Sequence, residues 1–373
     1  MKFIGIILAG GKSEKMDNLT RSRAIAALPV ACNYKAIDFA LSNMTNSGIK
    51  KVAVITQYNS QSLNEHLSSS KWWDFGRKQG GLFVFSPFIS KENSLWYRGT
   101  ADAIHQNIEF LKESHEPYVV ISNADIICKV DYNKVLDYHV SKKADITLIA
   151  KRLDEGADPR RYGVIDLDEN NKVLDIEEKP IVPQTNIINT GIYVIRRRLL
   201  IDLLEEVAAE DRYDFVTDII IRYRRQKKIF AYMLQDYWEN VSSIESYFKV
   251  NMDFLKAETR RSLIKTAPYI YSKAIDEPPA KFNHPARVVN SLVAGGCIIN
   301  GTVENSVLFR KVYIGENVTI RNSIILENCY IGNNVYIENC IIDSKANINP
   351  GTVYKGDGQN PKVIFENNPF FNH

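Results

Sequence analysis

The chain has 373 residues, 45% of them hydrophobic and 24% charged, with a formal net charge of +3. That length suits one large and one small domain with a full core. So weak a charge, with no run of five or six like charges, gives no basis for nucleic-acid binding but leaves room for a small anionic ligand.

The chain opens on a short apolar run, Phe3 to Leu8, that leads into a glycine loop. The run is too short and too weakly flanked for a signal sequence. No segment approaches the ~20 apolar residues that span a bilayer, so no membrane is expected and the expected location is the cytoplasm. The run reads instead as a buried strand. The loop after it, Leu8-Ala9-Gly10-Gly11-Lys12-Ser13-Glu14-Lys15-Met16, offers backbone N–H groups at Gly10 and Gly11 and cations at Lys12 and Lys15. Such a loop suits phosphate oxygens, although it is not a Walker loop.

Helix is expected over 39–47 and 101–113, and further buried strands over 51–56, 118–122 and 145–150. Strand and helix in alternation imply crossover connections and a mostly parallel, Rossmann-like α/β sheet covered on both faces. Ligands of such sheets collect at the carboxyl ends of the strands. This domain is expected over residues 1–255, followed by a connection over 256–285 that carries Pro268, Pro278 and Pro279. The five cysteines, Cys32, Cys128, Cys297, Cys329 and Cys340, are odd in number and lack a C-x-x-C pair, so reduced, buried thiols are expected.

From residue 286 to 373 an internal repeat replaces the helical pattern. Asn305-Ser306-Val307-Leu308, Asn322-Ser323-Ile324-Ile325 and Asn339-Cys340-Ile341-Ile342 recur at a spacing of 17, as do Ile314, Ile331 and Ile348. Inward apolar positions about every six residues suit a three-sided coil of short parallel strands, a left-handed parallel β-helix of hexapeptide type. An ordinary β-sandwich would not need the 17-residue register. Coils of this kind have exposed ends and tend to oligomerise.

A series of short motifs gives the first domain a more specific reading. They are Asn43-Met44-Thr45-Asn46-Ser47-Gly48-Ile49, Thr56-Gln57-Tyr58, Trp96-Tyr97-Arg98-Gly99-Thr100-Ala101-Asp102-Ala103, Glu178-Lys179-Pro180, Gly191-Ile192-Tyr193-Val194, Asp214-Phe215 and Tyr237-Trp238. In order and spacing they resemble the glucose-1-phosphate adenylyltransferase (ADP-glucose pyrophosphorylase) family. With the β-helix included, the resemblance covers nearly the whole chain. It implies in-line attack of glucose 1-phosphate on the α-phosphorus of ATP, giving ADP-glucose and pyrophosphate, with Mg²⁺ offsetting charge.

The resemblance also implies roles for single residues. Gly10, Gly11, Lys12, Lys15, Gln57, Gly99 and Thr100 would meet the nucleotide. Gly163, Glu178, Lys179 and Asn189 would meet the sugar phosphate, with Asn189 in place of the family's serine. Asp125 would be the first metal carboxylate. The family's second metal carboxylate, in a Y-W-x-D-V-G motif, is replaced by Asn240 in Tyr237-Trp238-Glu239-Asn240-Val241-Ser242. Its R-A-K-P segment reads Arg23-Ala24-Ile25-Ala26, so Ile25 stands where a lysine meets the triphosphate. Ser13 and Ser242 each replace a glycine.

The losses fall on the nucleotide and metal side, so Mg²⁺ binding is expected to be weak or absent. The chain most resembles the D-type subunit of bacterial glycogen synthesis, which implies a chain deficient alone and assembled with a catalytic homologue, by analogy as a heterotetramer. The rival readings are an active nucleotidyltransferase anchored on Asp125 alone, and a hexapeptide acyltransferase, which would leave most of the chain unexplained.

Overall fold

A computed structural model of the chain describes residues 2–11, 13–76, 80–88, 96–358 and 360–365. The described chain divides into two compact units that do not follow linear boundaries. The first takes in the chain up to Gly11, Phe39–Ser60 and Leu67–Trp238; the second takes in the stretch up to Asp38, Gln61–His66 and the chain from Glu239 onward.

The first unit is built on a nine-stranded mixed sheet. Its strands are β1 (Phe3–Ala9), β2 (Lys51–Thr56), β3 (Gly81–Phe85), β4 (Tyr118–Asn123), β5 (Ile146–Arg152), β6 (Gly163–Leu167), β7 (Val173–Glu178), β8 (Ile187–Arg196) and β9 (Ile229–Leu234). The main path runs β7-β6-β8-β4-β1-β2-β3, and β5 lies between β8 and β9. β1 pairs in parallel with β2 and β4, as the alternating sequence requires, whereas β6, β7 and β8 pair antiparallel. No crossover helix separates those last three strands, so hairpin-like pairing is the connection left to them.

The central strands read as continuous apolar runs because both faces are covered. Ile4, Ile6, Ile121, Leu148 and Ile195 are buried in one cluster with Leu200, Leu203 and Leu204 of α5 (Arg197–Ala209). Other helices are α1 (Ala36–Asn46), α2 (Thr100–His105), α3 (Ile108–Lys112) and α4 (Tyr132–Ser141). The single helix expected over 101–113 is thus two. Asn107, between them, donates its side-chain amide to the Ala103 carbonyl and the Tyr97 hydroxyl, competing with the helical backbone bonds.

In the second unit, three five-stranded parallel sheets form the sides of the β-helix. Ile299, Ile314, Ile331 and Ile348 align across successive strands and are fully buried, which is the stacking implied by the 17-residue register. The repeated asparagines take the corners: Asn305, Asn322 and Asn339 have φ of 46°, 43° and 52°. Asparagine tolerates this left-handed conformation better than other side chains with a Cβ. The first coil strand is Lys281–Phe282, ahead of the expected start at 286, because its exposed residues carry no repeat signature.

One side of the coil is buried on its outer row as well, at Val307, Ile324 and Ile341. Residues 23–33 are tied to the coil: Cys32 donates its thiol to the Leu308 carbonyl, and Arg23 pairs with Asp343 at 2.7 Å. All five cysteines are free and buried. Among the described residues no helix is long and apolar enough to cross a membrane.

Candidate functional site

β1, β2 and β4 end side by side, with Ala9 opposite Thr56 and Leu8 opposite Asn123. The strand ends therefore bring Gly10, Gly11, Gln57 and Asp125 to one edge of the sheet. Gly10 lies against Gln57: a Cβ on Gly10 would stand 3.0 Å from that of Gln57, whereas one on Gly11 would meet open space. Gln57 in turn donates to the Tyr97 carbonyl at 3.2 Å, joining the glycine loop to the Trp96–Ala103 motif. Tyr58 and Trp96 stack at 5.3 Å beside this link, and both are exposed.

The motif itself is pinned from several sides. Gly99 packs so closely on the Tyr213 backbone that no Cβ would fit. The Thr100 hydroxyl donates to Asp214 and accepts from the Phe215 amide. Arg98 lies over the Tyr213 ring, 3.7 Å from its centre, and pairs with buried Asp102 at 3.5 Å. Gly99 and Thr100 thus fix the start of α2, and the side chain of Thr100 is already engaged.

The four residues assigned to the sugar phosphate converge. Gly163 pairs with Glu178 across the β6–β7 ladder, and a Cβ on Gly163 would meet the Glu178 carboxylate at 2.9 Å and the Asn189 Cβ at 3.6 Å. Lys179 Nζ stands 3.7 Å from Glu178 Oε1 and keeps 67% of its side chain exposed. Burial pushes the Glu178 carboxyl above the usual range, opposed by Lys179 and reinforced by Asp214. Asn189 donates to the Tyr193 hydroxyl at 2.6 Å and accepts from the Gly191 amide at 3.1 Å.

Tyr193 and Asp214 belong to this cluster although sequence reasoning assigned them no site role; only their place in the motif runs pointed to them. Gly191, at φ +79°, allows the Asn123 amide to sit where a Cβ would come within 2.6 Å of it. This approach braces the segment that carries Asp125, whose neighbour Ala124 donates its amide to the Leu8 carbonyl.

Lys15, Ile25 and Asn240 lie in the second unit, and Lys12 lies outside the described residues. Lys15 is exposed. Ile25 is 7% exposed, so the position where the resemblance implies a phosphate-binding lysine holds a buried aliphatic side chain. Arg23, two residues earlier, is committed to Asp343 and Ser344. Glu239, beside Asn240, is held by Lys249.

Of the two positions that the resemblance assigns to a divalent cation, one holds the carboxylate of Asp125 and the other the neutral amide of Asn240; each is half-buried. Mg²⁺ commonly takes one or two carboxylates and completes its shell with phosphates and water, so Asp125 fits it as a single anchor. Among the described residues no three His, Cys, Asp or Glu side chains are grouped to hold a metal.

The Nucleotidyl transferase family profile matches residues 4–257, and the GlmU-like, C-terminal hexapeptide profile matches residues 278–366. A protein of Bacillus cereus (strain Q1) named glucose-1-phosphate adenylyltransferase is 38% identical over 320 residues, covering 84% of each chain. A protein of the same name from Mycoplasma mobile is 38% identical over 321 residues, covering 85% of this chain and 84% of its own. With the sheet, the β-helix and the motif geometry in agreement over this length, the chain belongs to the glucose-1-phosphate adenylyltransferase family of nucleotidyl transferases.

Proposed function

We propose that this chain is the weakly catalytic, regulatory D-type subunit of an ADP-glucose pyrophosphorylase of bacterial glycogen synthesis, acting in the cytoplasm with a catalytic homologue. The reaction served is ATP plus glucose 1-phosphate to ADP-glucose plus pyrophosphate. The observation that carries the reading is Asn240 in place of the family's second metal carboxylate, beside a Glu239 held by Lys249. The packed Ile25 and the engaged Arg23 support it, because neither offers a cation to a triphosphate.

On the sugar side, Glu178 and Asn189 supply acceptors for hydroxyl groups and exposed Lys179 supplies a cation for the phosphate. Asp125 is the residue that would hold Mg²⁺, which when bound offsets charge on the reacting phosphates. With one charged ligand and one cation lost, a barrier higher by about 4 kcal/mol slows turnover roughly a thousandfold. A family frame kept along both domains but carrying this deficit suits a partner subunit: a close homologue can replace an identical subunit when the contact surfaces match. The proposed assembly is a heterotetramer, and regulation requires that its contacts differ between the partner's active and less active states.

The reading is tested by pyrophosphate release from ATP and glucose 1-phosphate, measured for the chain alone and with the catalytic subunit, together with mass by light scattering. Expected are slow release alone, co-elution, and an altered turnover or effector response in the mixture. Turnover alone at an ordinary ~10 s⁻¹, or separate elution with unchanged kinetics, would overturn the proposal.

A further inference from the structure

Along one corner of the coil the second unit carries a groove of about 630 Å³. Its floor is the row Asn290, Asn305, Asn322 and Asn339, which turn the corner at φ of 42° to 52°. Successive coil strands lie about 4.8 Å apart, so the three steps of this row span roughly 14 Å. Phe248, Met252 and Leu255, on and just after the helix Ile244–Asp253, form the facing wall, and all three are half-buried.

The last coil departs from the repeat at this corner. Ile341 pairs with Val363, 22 residues on, whereas Ile324 pairs with Ile341, 17 residues on. Glu338 still pairs with Lys355 at the regular interval, so the five extra residues fall between Lys355 and Lys362. Gly358 of that stretch lines the groove, which places the insertion at the end of the asparagine row.

Elsewhere on the coil the asparagines close on one another: Asn283 donates to Asn300 at 2.6 Å and Asn317 to Asn334 at 3.2 Å. In the groove, Asn290 donates to Asn305 at 2.7 Å and Asn339 to the Gly356 carbonyl at 3.4 Å. Asn322, half-buried between them, makes no side-chain hydrogen bond among the described residues. Its amide has two donors and an acceptor to offer a ligand. The backbone amides of Asn305, Asn322 and Asn339 are already given to the Val289, Glu304 and Arg321 carbonyls, so an extended peptide finds no strand edge here. The lysine that lines the groove, Lys256, is paired with Asp253 at 2.7 Å, which leaves little to attract an anion.

We infer that this groove is a binding site for a neutral, linear oligosaccharide. Sugar hydroxyl groups donate and accept as the side-chain amides do, and the C–H faces of pyranose rings suit the apolar wall of Phe248, Met252 and Leu255. A row of amides at a constant step meets a chain of like units better than it meets a single small molecule. The groove lies within the second unit and uses none of the residues assigned to nucleotide, metal or sugar phosphate, so it stands apart from the reading of the chain as a weak catalyst.

The full chain is titrated by calorimetry with maltohexaose, with cellohexaose and with a short polyethylene glycol that lacks rows of hydroxyl groups, and hydrogen exchange is followed over residues 246–257. Saturable binding of at least one oligosaccharide is expected, with protection of that segment, and none for polyethylene glycol. Asn322→Gly keeps the left-handed corner and removes the amide, and should bind about tenfold more weakly. Asn317→Gly removes an amide from another corner and should bind as wild type does. No saturable binding up to tens of millimolar sugar, equal weakening in both variants, or protection confined to other segments overturns the inference. So does a self-association that Asn322→Gly abolishes while no sugar binds, which would make the groove a contact between copies. Equal melting temperatures confirm that folded chains are compared, and the exchange map of the wild-type chain tests the site without any variant.

Discussion

The hydroxyl of Ser13 donates to the carbonyl oxygen of Ser242 at 2.7 Å, across 229 residues of sequence. Only the Ser13 side chain takes part, because the acceptor at Ser242 is the backbone carbonyl. Ser242 and Ser243 in turn donate their amides to Ser246, in the first turn of α6 (Ile244–Asp253), and Ser243 caps that helix. The segment after the glycine loop is thereby fastened to a helix cap. A family glycine at position 13 could not make this bond.

Ser13→Ala should lower stability by about 1 kcal/mol and raise hydrogen exchange over residues 13–16. Ser242→Ala should leave both nearly unchanged, since the acceptor is the backbone carbonyl. Equal effects of the two substitutions in denaturant unfolding would refute the role given to this bond.

Restoring the family's charges should separate activity from stability. Asn240→Asp with Ile25→Lys is expected to raise pyrophosphate release on the order of a hundredfold, or nearly 3 kcal/mol of barrier. Ile25→Lys alone should lower the melting temperature of the free chain, because it places an ammonium at a packed aliphatic site. ATP with Mg²⁺ should recover part of that loss in a thermal scan. A single substitution that leaves the melting temperature untouched would mean that Ile25 is not packed as described.

The elevated Glu178 carboxyl makes a pH prediction. Under the proposed role of Glu178 in sugar binding, a charged carboxylate accepts hydroxyl groups more strongly than a neutral one, so affinity for glucose 1-phosphate should fall as pH drops through the Glu178 pKa. That midpoint should lie above the ordinary glutamate value of about 4.3 because burial, aided by Asp214, outweighs Lys179. Glu178→Gln should bind about tenfold more weakly, the worth of one charge-assisted hydrogen bond, and should lack the step. Calorimetry across acidic pH on both proteins provides the measurement.

Asp343 is pushed up by burial more than Arg23 and its other partners pull it down. A raised native pKa means that its contribution to stability is fully present below the unfolded value of about 3.9 and is lost as pH rises through the native value. Asp343→Asn retains an acceptor for Arg23 and should therefore gain stability relative to wild type over that interval. Asp343→Ala leaves the Arg23 guanidinium without its carboxylate and should cost about 3 kcal/mol. Urea titrations at several pH values would show whether the two substitutions diverge in this way.

Within the coil, Ile331 is fully buried between Ile314 and Ile348. Ile331→Ala should cost about 3 kcal/mol through lost burial and the cavity left behind. Val353→Ala, on the exposed row of another side, should cost little. Similar losses for both in chemical unfolding would contradict the inward assignment.

Features that depend on local period were legible in the amino-acid order. Apolar runs after glycine or charge marked β1, β2, β4 and β5, and the 17-residue register marked the stacked isoleucines of the coil. Both signals are local because a strand covered on two faces is apolar throughout and a coil repeats one geometry. The family resemblance also singled out Gly163, Glu178, Lys179 and Asn189, and the fold of the first unit brings these four residues together.

That residues 13–38 belong with the coil's unit, rather than with the sheet they follow in sequence, emerged only from the folded chain. The bonds Arg23–Asp343, Cys32–Leu308 and Ser13–Ser242 link positions more than 220 residues apart, and no periodicity encodes such a pairing. The same holds for Ile25. Its letter marks a departure from the motif the resemblance implies, but that its side chain is buried, and that a cation placed there would lose water, is visible only in the folded chain.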